Sequence, residues 1–473
     1  MHYPFEVPAI EDDASLQNRS YAAKKLDMTG ITLPTELVPN WKEEALKIFA
    51  ELLEHYKDLR VFMDSCVRCG NCATACQFYL GTGDPKNMPV ARAELLRKVY
   101  RKYFTAAGKL FSNAENAVEL TEEVLEEWST YFYQCSECRR CAVFCPYGID
   151  TGQITMAARE IMSRIGVATK YVTEVVHKVY QSGNNLGIWP LAWKDSCEFL
   201  EEELKEIYGK NIPLPVDEKG AEVLLVAPSA DNFVNVNTMM GYAVMFYAAG
   251  ISWTTSTYCD EGGNFGMFLN YFNQKRTNQR IVKAGKELGV KRIIWGECGH
   301  AWRAGYAFTN TFNEDMGDFD PPYPKHICEF TYDLMKNGAF KLDKSGNDDV
   351  KVTYHDPCNV ARATNATLRM GMFEWPREMI RNTCNNFVEM HKDTIREKTY
   401  CCGAGGGLLA DELMPLRMAG GRPRAEACRA AGANYLATPC AICKANLPLV
   451  MEHWKVPAEV GGVHDLFMKA LIL

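Results

Sequence analysis

The chain lacks any surplus of positive charge: 52 Lys and Arg stand against 59 Asp and Glu, for a net charge of -7. That leaves no basic footprint of the kind nucleic-acid binders carry, so no nucleic-acid partner is expected. The N-terminus, "MHYPFEVPAIEDD", lacks both the charged and the apolar region of a secretory signal. The 19 cysteines therefore read as thiols kept for metal in a reducing compartment, not as disulfides. Asp, Glu, Lys and Arg are also missing from Asn232 to Cys259, a stretch long enough to span a bilayer, which takes about 20 apolar residues. Gly250 and the β-rich run after it instead suggest a buried helix, its C-cap and a core strand.

At 473 residues, two to four domains are expected at roughly 150 residues each. Residues 1–60 read as an extension ending in an amphipathic helix, where Trp41, Ala45, Ile48, Phe49 and Leu52 recur at helical spacing. Residues 61–210 are helical in pattern and interrupted by two cysteine clusters. Within them "RAELLRKVYRKYF" carries Arg92, Arg97, Lys98, Arg101 and Lys102, which predict a solvated basic helix face. From 211 onward, β-rich runs such as "AEVLLVAP", "VKRIIWG", "VKVTYHDP", "NFVEM" and "NYLATP" alternate with helical stretches. The fold class expected is thus α followed by α/β, with parallel sheets covered by helices.

The 211–473 region repeats itself. "LLVAPSADN" matches "VTYHDPCNV", "YCDEGGNFG" matches "YCCGAGGGL", and "IIWGECGHA" matches "LATPCAICK". Cys259 and Cys401 are separated by the same interval as Cys298 and Cys440, which sets the units at 211–347 and 348–473.

The strongest chemical signal is the pair "CVRCGNCATAC" and "CSECRRCAVFCP", both CxxCxxCxxxC. In two-cluster ferredoxins the fourth cysteine of each run ligates the other run's cluster. Cys66, Cys69, Cys72 and Cys145 are therefore assigned to one cubane four-iron cluster, and Cys135, Cys138, Cys141 and Cys76 to the other. Structural zinc is the competing use of spaced CxxC pairs, but two full four-cysteine runs exceed what a zinc ribbon takes. Gln77 stands where a proline is usual, a departure expected to touch no ligand.

A third constellation joins Cys358, the adjacent pair Cys401 and Cys402, and Cys440 with Cys443, each just after a predicted strand. At the carboxyl edge of a parallel sheet all five thiols could converge. The glycines of "YCCGAGGG" would let backbone approach an inorganic cluster. Zinc, a vicinal disulfide and a phosphate-cradling loop are the alternatives. The disulfide leaves three thiols unexplained, and "GAGGG" is a weak match to a dinucleotide fingerprint, with no acidic residue standing out about 20 residues later.

This module resembles the CCG domain of heterodisulfide reductases. Joined to a two-cluster ferredoxin-like domain, it resembles the DsrK family of iron–sulfur subunits, related to HdrD, HmcF and TmcB, over residues 61–473. The resemblance implies a non-cubane four-iron cluster on Cys358, Cys401, Cys402, Cys440 and Cys443, which reduces a disulfide or trisulfide. It further implies a membrane cytochrome b-type quinol-oxidising subunit and other complex subunits as partners, a DsrC-like carrier protein as substrate, dissimilatory sulfur metabolism as the setting, and peripheral attachment on the cytoplasmic side of the membrane. The alternative is the iron–sulfur subunit of a flavin-dependent 2-hydroxyacid or glycerol-3-phosphate dehydrogenase, or a pure electron relay.

The first repeat departs from the pattern: Ser229, Asp260 and Ala301 replace three of the five cysteines, leaving Cys259 and Cys298. Its expected role is to close the pocket over the intact copy, with Cys259, Asp260 and His300 as a proton-handling alternative. His300, His355 and Lys444 are the candidate acids for protonating a leaving thiolate. His326 and His464 occupy matching helices and read as structural. Cys197, Cys328, Cys384 and Cys428 lack ligand spacing and read as small hydrophobes.

Overall fold

Helices dominate the early part of the chain and short parallel strands the later part. The computed structural model describes residues 33–34, 36–111, 116–312, 314–365, 369, 371–409 and 411–473; residues 1–32 of the expected extension lie outside these. Contacts divide the chain into two units. One comprises Met1–Glu174, Phe268–Tyr271 and Tyr400–Arg424, the other Val175–Met267, Phe272–Thr399 and Ala425–Leu473.

The first unit is built on α1 (Trp41–His55), α2 (Pro89–Phe104), α3 (Glu122–Phe132) and α4 (Thr151–Arg164). Local chemistry starts these helices: Pro89 opens α2, the Thr121 hydroxyl accepts from the Val124 N–H, and Asp150 accepts from the Gln153 N–H. The amphipathic α1 buries Ala45, Ile48, Phe49 and Leu52, and the Phe49 ring lies 5.0 Å from that of Phe104. The expected solvated basic face of α2 is corrected. Arg92, Arg97 and Arg101 are buried, because each guanidinium finds acceptors inside: Arg92 at Tyr131 O and Asn87, Arg97 at Met63 O, and both Arg97 and Arg101 at Glu94.

In the second unit, β1 (Val223–Val226), β2 (Trp253–Thr254), β3 (Arg292–Trp295) and β4 (Lys325–His326) form a parallel sheet in the order β2-β1-β3-β4. A second parallel sheet has β5 (Val352–Tyr354), β6 (Tyr435–Ala437) and β7 (Glu459–Gly461) in that order. The two sheets repeat one pattern, β1-β3-β4 matching β5-β6-β7. Where β2 flanks β1, the expected "NFVEM" strand contributes only a single bridge, from Phe387 to Val352.

The charge-free stretch is a buried helix (Val236–Ala249), ended by Gly250 at φ 67° and followed by β2. No described helix is long and apolar enough to cross a membrane. The carboxyl edges of the sheets lead into α5 (Gly299–Phe312) after β3 and α6 (Ala441–His453) after β6. Cys298 and Cys440 sit at the openings of these two helices.

Candidate metal centres

Two cavities in the first unit collect the eight clustered cysteines. Cys66, Cys69, Cys72 and Cys145 line one, together with Arg97 and Tyr147. Cys76, Cys135, Cys138 and Cys141 line the other, together with Gln77, Arg92 and Arg140. Each motif thus sends its last cysteine to the other motif's cavity. Left-handed backbone at Arg68, Gly70, Glu137 and Arg139 folds the two loops so that their thiols turn inward.

The donor chemistry fits four-iron clusters. Burial pushes the Cys72 thiol up to about 11, and burial together with Cys138, Cys135, Asp150 and Cys76 holds Cys141 far above the ordinary thiol value. Four thiolates crowded in this way require a cationic core among them. In the second cavity, Arg92 is favoured as a cation: burial opposes its charge, but Cys135, Cys76 and Cys141 more than offset this. Gln77 corrects the sequence reading. Its side-chain Nε2 lies 3.6 Å from Cys138 Sγ and 3.0 Å from Ser136 Oγ, so the residue in the usual proline position touches a candidate ligand.

The adjacent cysteines Cys401 and Cys402 are buried within this same unit. Tyr400 lies under the Arg140 guanidinium at 3.9 Å, and Arg140 also donates to Ala75 O, next to Cys76. Further along, Gly406 has φ 66°, and a Cβ there would fall 2.6 Å from Cys135 O. Arg159 fastens the contact, donating to Gly406 O at 2.7 Å, Glu137 Oε1 at 2.9 Å and Cys135 O at 2.8 Å.

Cys358, Cys440 and Cys443 belong to the second unit and lie past the carboxyl ends of the paired strands β5 and β6. Cys358 opens a π-helical turn (Asn359–Ala363), and its sulfur accepts from Asn359 Nδ2 at 3.7 Å. Cys443 Sγ is 3.4 Å from His355 Nε2. Cys440, Cys298, Cys443 and His300 are buried, and the neighbouring Cys298 and Cys443 thiols hold Cys440 below the ordinary thiol value. Cys298 is in turn held above it, chiefly by burial.

Lys444 differs from the two histidines. Its ammonium lies 2.7 Å from Asp231, 2.9 Å from Thr238 Oγ1 and 3.4 Å from Glu297; although burial opposes the charge, these carboxylates hold it well above the ordinary lysine value. It anchors α6 and is not placed to release a proton. Glu297 also accepts from His464 Nδ1 at 2.8 Å, while His464 Nε2 meets Thr331 Oγ1 at 2.8 Å. Glu297, Cys328 and His464 have the donor types for a metal ion, but these ion pairs and hydrogen bonds already occupy the carboxylate and both ring nitrogens. His326 Nδ1 accepts from Cys328 N at 3.1 Å, and burial drives its pKa down to about 3.

In the first repeat the lost cysteine positions form a hydrogen-bonded pair. Ser229, in the place of Cys358, donates to Asp260, in the place of Cys402. Asp260 also accepts from Asn185 N and Gly262 N, and burial pushes it up to about 6. Of the residues considered for proton handling, His300 is buried near Cys440, whereas Asp260 is tied to this separate network. Cys197, Cys328, Cys384 and Cys428 are buried.

Residues 62–149 match the 4Fe-4S dicluster domain and residues 352–448 the Cysteine-rich domain family. The chain is 45% identical to the Hdr-like menaquinol oxidoreductase iron-sulfur subunit 2 of Archaeoglobus fulgidus, over 93% of this chain and 85% of that protein. It is 44% identical to the Hdr-like menaquinol oxidoreductase iron-sulfur subunit of Archaeoglobus profundus, over 93% and 84%. HdrD of the dihydromethanophenazine:CoB–CoM heterodisulfide reductase of Methanosarcina mazei is 26% identical to it, over 86% and 94%. Dicluster and cysteine-rich segments in this order define an HdrD-like oxidoreductase that carries 4Fe–4S clusters and transfers electrons. The chain belongs to the family of Hdr-like menaquinol oxidoreductase iron–sulfur subunits.

Proposed function

We propose that the chain is the catalytic iron–sulfur subunit of a membrane-associated complex, reducing a disulfide or trisulfide with electrons from a quinol-oxidising partner. In this reading Cys66, Cys69, Cys72 and Cys145 hold one cubane and Cys76, Cys135, Cys138 and Cys141 the second. Cys358, Cys401, Cys402, Cys440 and Cys443 hold a non-cubane four-iron cluster. The names of the Archaeoglobus relatives supply menaquinol as the electron source, and that of the Methanosarcina relative supplies a disulfide as the acceptor. A cytochrome b-type subunit is the proposed donor and a DsrC-like carrier protein the proposed substrate, on the cytoplasmic side of the membrane.

The packing of Gly406 carries this reading. The segment that bears Cys401 and Cys402 lies against the backbone of Cys135 and Ser136 and shares Arg159 with it. Two adjacent thiols are thereby built into the same body as a cubane's ligand loop. The first repeat gives independent support, since its stand-ins for Cys358 and Cys402 are hydrogen-bonded to each other.

When bound, the clusters supply electrons one at a time. Oxidation of one quinol releases two electrons and two protons, which match the cleavage of one S–S bond to two thiols. The chain's own residues position the thiols, and His355 beside Cys443 is the proposed proton donor, with His300 as the second candidate acid. Arg92 offsets the negative charge of the second cubane's thiolates.

Low-temperature EPR of the anaerobic protein, with and without the carrier protein's disulfide, tests the reading. A third signal, beyond those of two cubanes, should respond to the disulfide and disappear in Cys401→Ser and Cys402→Ser. A third signal indifferent to substrate would indicate a relay instead.

A further inference from the structure

The two cysteine cavities of the first unit are built on one plan and differ at the residue behind the cysteine that crosses over. Pro146, after Cys145, lines the first cavity, and Gln77, after Cys76, lines the second. Proline offers neither a backbone N–H nor a polar side chain, whereas a glutamine amide carries two N–H donors on one nitrogen. In the second cavity each of these donors has an acceptor: Gln77 Nε2 lies 3.0 Å from Ser136 Oγ and 3.6 Å from Cys138 Sγ. Gln77, Ser136 and Cys138 are all buried, which keeps the amide from bulk water. The local backbone does not require a glutamine. Gln77 is the first residue of a short helix (Gln77–Thr82), and Cys76 before it is extended, with ψ 118°. A first helical position after an extended residue accepts proline equally well, so what the glutamine adds to the second cavity is its amide.

We infer that Gln77 is a positioning residue of the second cubane, its amide N–H donating a hydrogen bond to the Cys138 sulfur and raising that cubane's reduction potential. This rests on the reading of Cys138 as a cluster ligand. Gln77 Oε1 also lies 3.6 Å from that sulfur, but an iron-bound sulfur carries no proton, so the amide nitrogen is the donor of the pair. Hydrogen bonds to cluster sulfurs are among the factors that set reduction potential, and a donor raises it by stabilising the more negative reduced state. Pro146, in the matching place, gives the first cubane no such bond. Gln77 therefore eases the passage of electrons from the first cubane to the second, the one against whose ligand loop the Cys401–Cys402 segment packs.

EPR-monitored redox titration of the anaerobic protein, with iron determined on the same samples, tests this. Cys138→Ser, a change at a ligand position, identifies which signal belongs to the second cubane. Gln77→Met keeps the length of the side chain without a donor, and Gln77→Pro copies the first cavity. Both should retain the wild-type iron content, with the second cubane's midpoint potential lowered and the first cubane's unchanged. The direction separates a hydrogen bond from packing, because opening a buried cluster to water stabilises its more negative reduced state and raises the potential. An unchanged or raised second midpoint in whichever variant keeps its iron would overturn the inference, as would equal shifts of the two cubanes. Loss of one cluster's iron from both variants would make Gln77 a packing residue and equally overturn it. A wild type with iron for fewer than two clusters, or a Cys138→Ser protein with both cubane signals unaltered, would instead refute the ligand reading beneath.

Discussion

Lys444 shows how a residue beside a ligand position is kept out of the chemistry. Its ammonium balances Asp231 and Glu297, all three fully buried. Lys444→Met leaves those carboxylates undercompensated, and breaking a buried ion pair from one side costs about 3–5 kcal/mol. Anaerobic guanidinium unfolding should show a loss of this size, and an unchanged midpoint would count against the anchoring role. Asp260 gives a pH test. Burial raises its folded value from 3.8 to about 6, so the folded state binds its proton more tightly and this group's contribution falls as pH rises through that window. Between pH 5 and 7 the wild type should lose about 1–2 kcal/mol relative to Asp260→Asn, read from unfolding midpoints. A constant difference across that range would contradict the assignment. The residue-level reading of the sequence succeeded where chemistry is local. Cysteines spaced two or three apart announce their loops, but the contacts of Gln77 with Cys138 and of His355 with Cys443 join residues far apart in the chain, where no spacing can signal them.

Among the elements, the segment after Cys402 bears the most direct constraint. Gly406 is left-handed and meets the backbone of Cys135, which cannot move aside as a flexible side chain could. Gly406→Ala incurs about 1–2 kcal/mol from its backbone conformation alone. It should also alter the EPR signal of the cubane proposed on Cys135 and leave the signal of the other proposed cubane unchanged; equal changes in both would contradict the local contact. The paired sheets were legible from strand-end repeats, because the inner strands are short buried runs closed by chemistry-bearing residues. The edge segment at Phe387 was overread: an apolar run resembles a strand, but a single bridge is all it forms. The basic face of α2 was misread for the opposite reason, since sequence shows a guanidinium but not the carbonyls and carboxylate that receive it.

For the whole molecule, the cysteine spacing, the repeat and the family agree on an electron-transferring iron–sulfur subunit. The central claim is that the chain holds three clusters and not two, the third on the residues that distinguish the intact repeat from the degenerate one. Anaerobic iron and acid-labile sulfide analysis with Mössbauer spectroscopy tests it most directly. The account predicts about twelve iron atoms per chain, falling to about eight in Cys401→Ser and Cys402→Ser with both cubane spectra intact. About eight in the wild type, unchanged by those substitutions, would contradict it.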